Sequence, residues 1–295
     1  YKEDQYKRFY KFATMNKFIL GLLFSASIIS CGNQNEKAAQ QLQKAKQLFD
    51  YGAYSEAKTA IDSIGILYPK AFEQIRSGMQ LMCQVKLKES QRNLTYIDSL
   101  LQVRQQELET LKKDFYLEKD EKYQEEGNYI YKNQKGKTII NSSRIRALVT
   151  ESGQMQLSSV YYGNVPLNHT FVRADLADKN FAETFRIPYD GGNNYRFKND
   201  GHVTEIVTYK DGQCTEIVNL ISENMKSPVL ITYKGGKKYT LSLDMPTKQM
   251  IKATRDLTLL MKITEDLKRE KLLNEKTIEI VNRQITDMEQ KAGEK

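Results

Sequence analysis

The sequence predicts an α+β fold. We expect an N-terminal helical hairpin, a long antiparallel coiled-coil helix pair, and an antiparallel β-sandwich or open barrel inserted between the two long helices. Three observations support this prediction. Apolar residues of the 295-residue chain recur at 3–4 spacing before position 126 and again after position 247. Between those stretches, glycine turns separate short runs rich in β-branched and aromatic residues. Two shorter helical patterns, divided by Gly52, come before them.

The composition narrows the class of protein before any motif is considered. The chain carries 45 Lys and Arg against 37 Asp and Glu, with 2 His and 3 Cys. This composition excludes a polytopic membrane protein, a collagen and a disulfide-rich scaffold, and it disfavours a His/Cys zinc site. No run of Lys and Arg exceeds three residues, so we expect no nucleic-acid partner.

In the stretch from Met15 to Cys31, a positive charge, an apolar run and a small residue occur in the order that is typical of a secretory signal. Lys17 provides positive charge, and residues 18–29 form an apolar run that is too short to span a bilayer. The run ends in Ile28 and Ile29, and Ser30 and Cys31 follow. This stretch resembles the signal peptide and lipobox of bacterial lipoproteins. The resemblance implies cleavage before Cys31, a diacylglycerol on its thiol, and a further acyl chain such as palmitate on its amine.

We therefore expect residues 1–30 to be removed. Residues 1–14 are interpreted as an upstream extension before a start at Met15, and the rest as the signal peptide. Their removal takes away five basic and two acidic residues and lowers the formal net charge from +8 to +5. The alternative is a buried N-terminal helix with an accidental cysteine. No acidic run follows Cys31, which differs from the surface-export signal of Bacteroidetes lipoproteins. The resemblance therefore implies the periplasmic face of the outer membrane and not the cell surface.

Residues 31–70 contain the predicted anchor and a helical hairpin. Small and large apolar residues recur at helical spacing on both sides of Gly52, and Pro69 ends the second pattern. The pattern resembles one tetratricopeptide unit. The matching positions are Ala45, Leu48, Tyr54, Ala57, Ile61 and Pro69. Because stable repeat arrays need about three units, a single unit implies a hairpin and not an array.

Two long helices are predicted, over residues 71–126 and 247–292. Each carries an apolar stripe with a few polar interruptions, which is typical of a coiled-coil seam. The first stripe comprises Cys83, Leu87, Leu94, Ile97, Leu101, Leu108, Leu111 and Phe115. The second comprises Met250, Ala253, Leu257, Leu260, Leu267, Ile278, Val281, Ile285 and Met288. The interruptions are Ser90, Arg104, Thr264, Lys271 and Asn274. In an antiparallel pair they would cluster midway and could fix the register.

Residues 127–246 are predicted to form the β domain. Two hairpins are expected, one turning at Asp211-Gly212 and the other at Gly235-Gly236. The predicted strands are Thr138–Ile140, Arg146–Thr150, Gln156–Tyr162, Thr170–Arg173, Glu183–Ile187, His202–Tyr209, Cys214–Ile221, Val229–Tyr233 and Tyr239–Leu243.

The sequence contains no G-x-S-x-G, H-E-x-x-H, C-x-x-C or calcium-loop motif. We therefore expect no catalytic residues, no metal and no cofactor. His169 and His202 lack acidic or Cys partners at ligand spacing and are interpreted as ordinary strand histidines. Cys83 is interpreted as a small apolar helix residue and Cys214 as a strand residue, and a disulfide between them is not expected.

Two features suggest surface chemistry. The β domain is rich in tyrosine, and a sugar- or peptide-binding face is one interpretation, with core packing as the other. The tyrosines considered for that face are Tyr161, Tyr162, Tyr189 and Tyr195. Ser63 and Ser99 each follow Asp and precede an aliphatic residue. These triplets resemble the O-glycosylation sequon of exported Bacteroidetes proteins.

These features predict a lipid-anchored protein of the bacterial cell envelope. We expect a structural or interaction module, not an enzyme, that presents a β head on a coiled-coil stalk. Its partners would be the outer membrane, through Cys31, and an envelope protein or a second copy of the chain. Two alternatives remain. One is a glycan- or peptide-binding lipoprotein. The other is a holdase-like periplasmic chaperone, since the helix–β–helix order resembles that of prefoldin.

Overall fold

The computed structural model describes residues 34–134 and 141–293, and these residues form an α+β fold, as the sequence predicts. They comprise five α-helices and ten strands in two antiparallel sheets. The chain divides into two compact units between Val85 and Lys86. The predicted lipidation position Cys31 and the predicted strand Thr138–Ile140 lie outside the described residues.

Three helices come first in the described chain, the strands follow with one short helix among them, and a long helix comes last. The helices are α1 (Gln34–Asp50), α2 (Tyr54–Leu67), α3 (Phe72–Lys112), α4 (Thr215–Glu223) and α5 (Met245–Gly293). The strands are β1 (Phe115–Glu118), β2 (Asn128–Tyr131), β3 (Arg144–Thr150), β4 (Met155–Gly163), β5 (Phe171–Leu176), β6 (Phe181–Glu183), β7 (Asn194–Asn199), β8 (His202–Lys210), β9 (Val229–Lys234) and β10 (Lys238–Ser242). Within the described ranges, no helix is long and apolar enough to cross a membrane.

The first unit is built on the packing of α1 against α2. Ala45 of α1 and Ala57 of α2 are fully buried in one cluster, and Ile61 joins them. Alanine side chains let the two helix backbones approach closely. The side-chain amide of Gln41 donates a hydrogen bond of 2.8 Å to the hydroxyl of Ser63, which links the two helices.

The turn between α1 and α2 depends on Gly52. Its φ is +74°, in the left-handed region that a residue with a Cβ adopts only at a cost. The N–H of Gly52 donates to the carbonyl of Phe49 at 2.9 Å, and that of Ala53 donates to the carbonyl of Leu48 at 2.9 Å. These bonds satisfy carbonyls at the end of α1. The predicted helix end at this glycine is confirmed.

The second unit contains both sheets. The first sheet has the order β1-β2-β3-β4-β8-β7, and the second has the order β10-β9-β5-β6. Alternate residues of each strand face the interior, as Leu157 and Tyr209 do where β4 pairs with β8. The same core cluster contains Val172 and Ile231 of the second sheet. The two sheets therefore share one hydrophobic core.

Helices close this core. The short helix α4 contributes Ile217, Val218 and Ile221, and α5 contributes Met250 and Ile251. A smaller cluster, built on Phe115, Val149 and Leu257, joins β1, β3 and α5.

The first long helix is shorter than the sequence predicts. It ends at Lys112, whereas the prediction extends it to residue 126. The chain then forms β1, in which Phe115 pairs with Tyr131 of β2. The physical reason lies in the apolar stripe, because no apolar residue continues it at helical spacing beyond Phe115.

Two strand predictions and two hairpin predictions in the β domain have different outcomes. The run Cys214–Ile221 is α4 and not a strand, because Ile217, Val218 and Ile221 lie on one face of a helix and bury there. Asp211-Gly212 begins a 3₁₀-helix instead of turning a hairpin, and the predicted run Glu183–Ile187 is a strand only at its first residue. The hairpin at Gly235-Gly236 is confirmed by the antiparallel pairing of β9 with β10.

Candidate functional site

Three side chains form a buried polar chain between the sheets. Ser159 lies on β4, Glu205 lies on β8, and His169 precedes β5. The Oγ of Ser159 lies 2.9 Å from Nε2 of His169, and Nδ1 of the same ring lies 2.8 Å from Oε2 of Glu205. Each of the three residues is at most 2% exposed. The strand register explains the meeting, because Ser159 pairs with Val207 and so faces the same side of the sheet as Glu205.

The carboxylate of Glu205 also binds the backbone of the loop that carries His169. Oε1 accepts hydrogen bonds from the N–H groups of Leu167 at 2.7 Å and Asn168 at 2.8 Å. Oε2 accepts one from the N–H of His169 at 3.0 Å. Burial on its own would raise the pKa of Glu205, but the hydrogen bonds from His169 and Asn168 outweigh it and lower the pKa to about 2. Glu205 is therefore an ionised clamp on this loop.

The ionised carboxylate can only accept hydrogen bonds, so Nδ1 of His169 donates to it. Nε2 of the same ring lies within hydrogen-bond distance of the hydroxyl of Ser159. The hydroxyl of Tyr209 lies 3.3 Å from the Oγ of Ser159 and continues the chain. Burial raises the pKa of Tyr209, so its hydroxyl keeps its proton. The ring of Tyr233 stacks on His169 with centroids 5.2 Å apart.

The order serine, histidine, carboxylate is the order of residues in serine hydrolases. A nucleophile must be reachable by its substrate, however, and Ser159 has no exposed surface. Its hydroxyl is enclosed by His169 and Tyr209. In this conformation the three residues hold the loop Leu167–His169 in place and offer no reactive surface.

The loop held by Glu205 passes close to the β9–β10 hairpin. A Cβ added to Gly235 would lie 2.1 Å from the carbonyl oxygen of Asn168, so only glycine allows this approach. Asn168 itself has a φ of +54°. Hydrogen bonds from the N–H of Thr170 to the carbonyl of Lys234, and from the N–H of Lys237 to the carbonyl of Leu167, close the contact. The clamp thereby positions the hairpin.

A surface groove lies where this loop meets the hairpin. Its volume is about 510 Å³, within the range of about 300–1,000 Å³ that is usual for small-molecule sites. The residues that line it are Asn168, Thr170, Phe171, Arg186, Lys234, Gly235, Gly236 and Lys238. We call this feature the hairpin groove.

The four tyrosines considered for a binding face are not brought together. Tyr161 is buried in the core, and its hydroxyl donates to the carbonyl of Val165 at 2.9 Å. Tyr162 points to the opposite face of β4 and stacks on His202 with ring centroids 4.7 Å apart. Tyr189 lies before β7, where the guanidinium of Arg196 covers its ring at 4.6 Å.

Only Tyr162 and Tyr195 share a face. Tyr162 and Phe197 both pair with Thr204 of β8, and Tyr195 stacks against Phe197 with ring centroids 6.4 Å apart. Tyr161 and Tyr195 lie on opposite faces of the first sheet, because directly paired residues share a face and neighbouring residues alternate.

The remaining predicted positions are ordinary helix or core residues in their surroundings. The hydroxyl of Ser63 donates to the carbonyl of Ala60 within α2, and that of Ser99 donates to the carbonyl of Thr95 within α3. Cys83 and Cys214 are buried and form no disulfide. The interpretation of Cys214 as a strand residue is wrong, since it immediately precedes α4. Within residues 34–134 and 141–293, no group of three acidic, His or Cys side chains could hold a metal.

Sequence reasoning missed Glu205, and His169, interpreted as an ordinary strand histidine without acidic partners at ligand spacing, precedes β5 and contacts this buried carboxylate. The two residues are 36 positions apart, so no spacing rule connects them. One signal was present. Val203, Val207 and Tyr209 alternate on the inward face of β8, and Glu205 occupies an inward position between them. A charged residue at such a position must find buried partners.

No known protein family, no curated protein and no solved structure matches this chain. The function is therefore inferred from the geometry of its own residues.

Proposed function

We propose that this protein is a lipid-anchored interaction module of the bacterial cell envelope. In this proposal Cys31 carries the acyl anchor on the periplasmic face of the outer membrane. Helices α3 and α5 pair as an antiparallel coiled-coil stalk, and the two sheets form a sandwich-like β head. The head meets a further envelope protein or a second copy of the chain, and it catalyses no reaction.

The observation that carries this proposal is the burial pattern of the two long helices. Beyond the head, the protected residues of α5 recur at alternating spacings of three and four residues, while the residues between them are mostly exposed. These protected positions are Leu267, Lys271, Asn274, Ile278, Val281, Ile285 and Met288. On α3 the same spacing joins Leu87, Ser90, Leu94, Ile97, Leu101, Arg104, Leu108 and Leu111. A heptad seam has this pattern.

Two polar contacts support the antiparallel direction. Nζ of Lys271 lies 2.7 Å from Oδ1 of Asp98, and the amide of Asn93 lies 3.5 Å from Oδ1 of Asn274. From the first contact to the second, the residue number decreases on α3, from 98 to 93, and increases on α5, from 271 to 274, as it does in an antiparallel pair. Extended by one turn or two, this register brings Arg104 level with the buried Thr264. Polar residues at seam positions of this kind favour one register over others.

The stalk can be tested by disulfide trapping in the full chain. The pair Ile97→Cys and Lys271→Cys should form an intramolecular disulfide under mild oxidation, because both positions belong to the seam at the same level. Ser99→Cys with Lys271→Cys is the matched control, since Ser99 is exposed on α3. Equal cross-linking of the two pairs, measured by peptide mass spectrometry, would contradict the paired-helix arrangement.

The anchor and the absence of catalysis have separate tests. Radiolabelled palmitate should label the wild type and Cys83→Ala but not Cys31→Ala when the protein is expressed in a bacterium that processes lipoproteins. A fluorophosphonate probe, which labels reactive serines, should leave the purified protein unmodified. Labelling of the wild type and of Ser158→Ala, but not of Ser159→Ala, would show that the buried triad is reactive and would refute the proposal of a non-enzymatic module.

The interaction itself is tested by cross-linking in intact envelopes. Lysine-reactive cross-linkers should join head residues to one recurrent envelope protein or to a second copy of the chain. If the head is instead cross-linked to many lipid-anchored proteins in proportion to their abundance, the proposal of a specific partner is contradicted.

A further inference from the structure

The hairpin groove carries an excess of positive charge. Arg186, Lys234 and Lys238 line it. Glu183 pairs with Lys234 at 3.0 Å and also lies 3.5 Å from Arg173. Within the described part of the chain, neither Arg186 nor Lys238 has an ion-pair partner. Two cations of the groove thus have no counter-charge from the described residues.

The exposed side chain of Arg186 places its guanidinium over an aromatic ring. It lies over the ring of Phe171, with its central carbon 4.0 Å from the ring centroid. Phe171 is 5% exposed and therefore gives a rigid platform. The ammonium of Lys234 approaches the same ring at 5.4 Å. A guanidinium stacked by one face on an aromatic ring keeps its N–H edge available, and this planar fork matches the oxygens of a phosphate or carboxylate.

Neutral donors complete the groove. Thr170 and Asn168 line it, and no hydrogen bond of either side chain to another described residue is present. Their backbone is fixed, because Glu205 accepts from the N–H of Asn168 and the N–H of Thr170 donates to the carbonyl of Lys234. Asn168, Thr170, Arg186 and Lys238 therefore line one groove, and among the described residues none of their side chains has a hydrogen-bond or ion-pair partner.

We propose that the hairpin groove binds the phosphate group of a small phosphomonoester. A phosphomonoester carries a charge of about −1.5 to −2 at neutral pH and three acceptor oxygens, which suits two uncompensated cations and two neutral donors. The groove volume of about 510 Å³ leaves room for a small organic group beside the phosphate. This site goes beyond the proposed envelope function and does not depend on the lipid anchor or on the stalk.

The full chain can be titrated calorimetrically with glycerol 3-phosphate, with inorganic phosphate and with glycerol as the uncharged control. We expect saturable binding of the two phosphates and none of glycerol. Arg186→Gln should weaken binding at least tenfold, and Arg186→Lys should weaken it several-fold because the charge remains while the planar fork is lost. Lys198→Gln, which removes an exposed lysine of β7 outside the groove, should bind like the wild type.

Other results would overturn the proposal. They include no saturable phosphate binding, or the same affinity in Arg186→Gln and Lys198→Gln. Vesicles of phosphatidylcholine with phosphatidylglycerol provide a further arm. If the wild type binds these vesicles through Arg186 but binds neither small phosphate, the groove recognises a membrane surface, and the proposed small ligand is wrong. Circular dichroism of each variant separates a loss of binding from a loss of folding.

Discussion

Substitution of Glu205 by glutamine should destabilise the second unit in a pH-dependent way. In the folded protein the pKa of Glu205 falls from the ordinary 4.5 to about 2. At about 1.4 kcal/mol per pKa unit, this shift corresponds to about 3 kcal/mol of stability at neutral pH. Glutamine cannot replace it, because its NH₂ group would face the backbone N–H groups or the ring nitrogen that now donate to the carboxylate.

The direction of the pH effect follows from the lowered pKa. A carboxyl group whose pKa is lower in the folded than in the unfolded state contributes its full stabilisation above the unfolded value, near 4.5. That contribution is lost as the pH falls from about 5 towards 2. The difference between the wild type and Glu205→Gln should therefore shrink from about 3 kcal/mol at pH 7 to about 1 kcal/mol at pH 2.5.

Urea unfolding measures this difference. The chain has no Trp, so near-ultraviolet circular dichroism of the tyrosines, many of which lie in the β domain, reports on its packing. Glu121→Gln is the matched control, because Glu121 is exposed in a turn. A difference below about 1 kcal/mol at pH 7, or one that stays constant down to pH 2.5, would refute the assignment of Glu205 as an ionised clamp.

Three further predictions test the rest of the second unit. Gly235→Ala should lower the free energy of unfolding by about 1–3 kcal/mol, because the new Cβ would meet the backbone of Asn168. Urea unfolding measures this change. An unchanged free energy of unfolding would contradict the close approach. The thiol of Cys214 should resist alkylation at pH 8 in the native protein, since burial raises its pKa to about 12. Peptide mass spectrometry after iodoacetamide treatment measures the rate of alkylation. Equal rates in the folded and the unfolded protein would contradict this prediction. Leu257→Ala should lower the free energy of unfolding by about 2–5 kcal/mol, because this fully buried side chain of α5 packs in one cluster with Phe115 of β1 and Val149 of β3. Leu259→Ala, at an exposed position of the same helix, should change the free energy of unfolding by less than about 1 kcal/mol. Similar losses in the two variants would argue against that packing.

The sequence predicts those parts of the fold that depend on local periodicity. The end of α1 at Gly52 and the hairpin at Gly235-Gly236 follow from turn chemistry, and both are present. The prediction fails where β-branched composition competes with helical spacing. Ile217 and Val218 favour a strand by residue type, but in the fold they bury together on one face of α4. Tertiary burial decides between the two patterns, and the local sequence does not contain it.

The candidate site was less predictable, because its parts come from distant strands. Glu205 and His169 meet only after β8 pairs with β4 and β5 joins the second sheet. Neither the pairing order of the strands nor the path of the loop before β5 can be read from spacing. A charged residue at an inward position of β8 is the one local sign, and it predicts that a buried partner exists without identifying it.

The clamp and the groove share one loop, and variants of Glu205 and Arg186 distinguish the role of the clamp from that of the groove. Glu205 holds the backbone of Asn168 from the core side, while the side chain of Asn168 lines the groove on the surface side. Loss of the carboxylate should therefore lower both the stability and the affinity for phosphate. Loss of Arg186, an exposed side chain whose guanidinium lies over the ring of Phe171, should lower the affinity and leave the stability nearly unchanged. If Glu205→Gln binds phosphate as the wild type does, the clamp stabilises the core but does not position the groove.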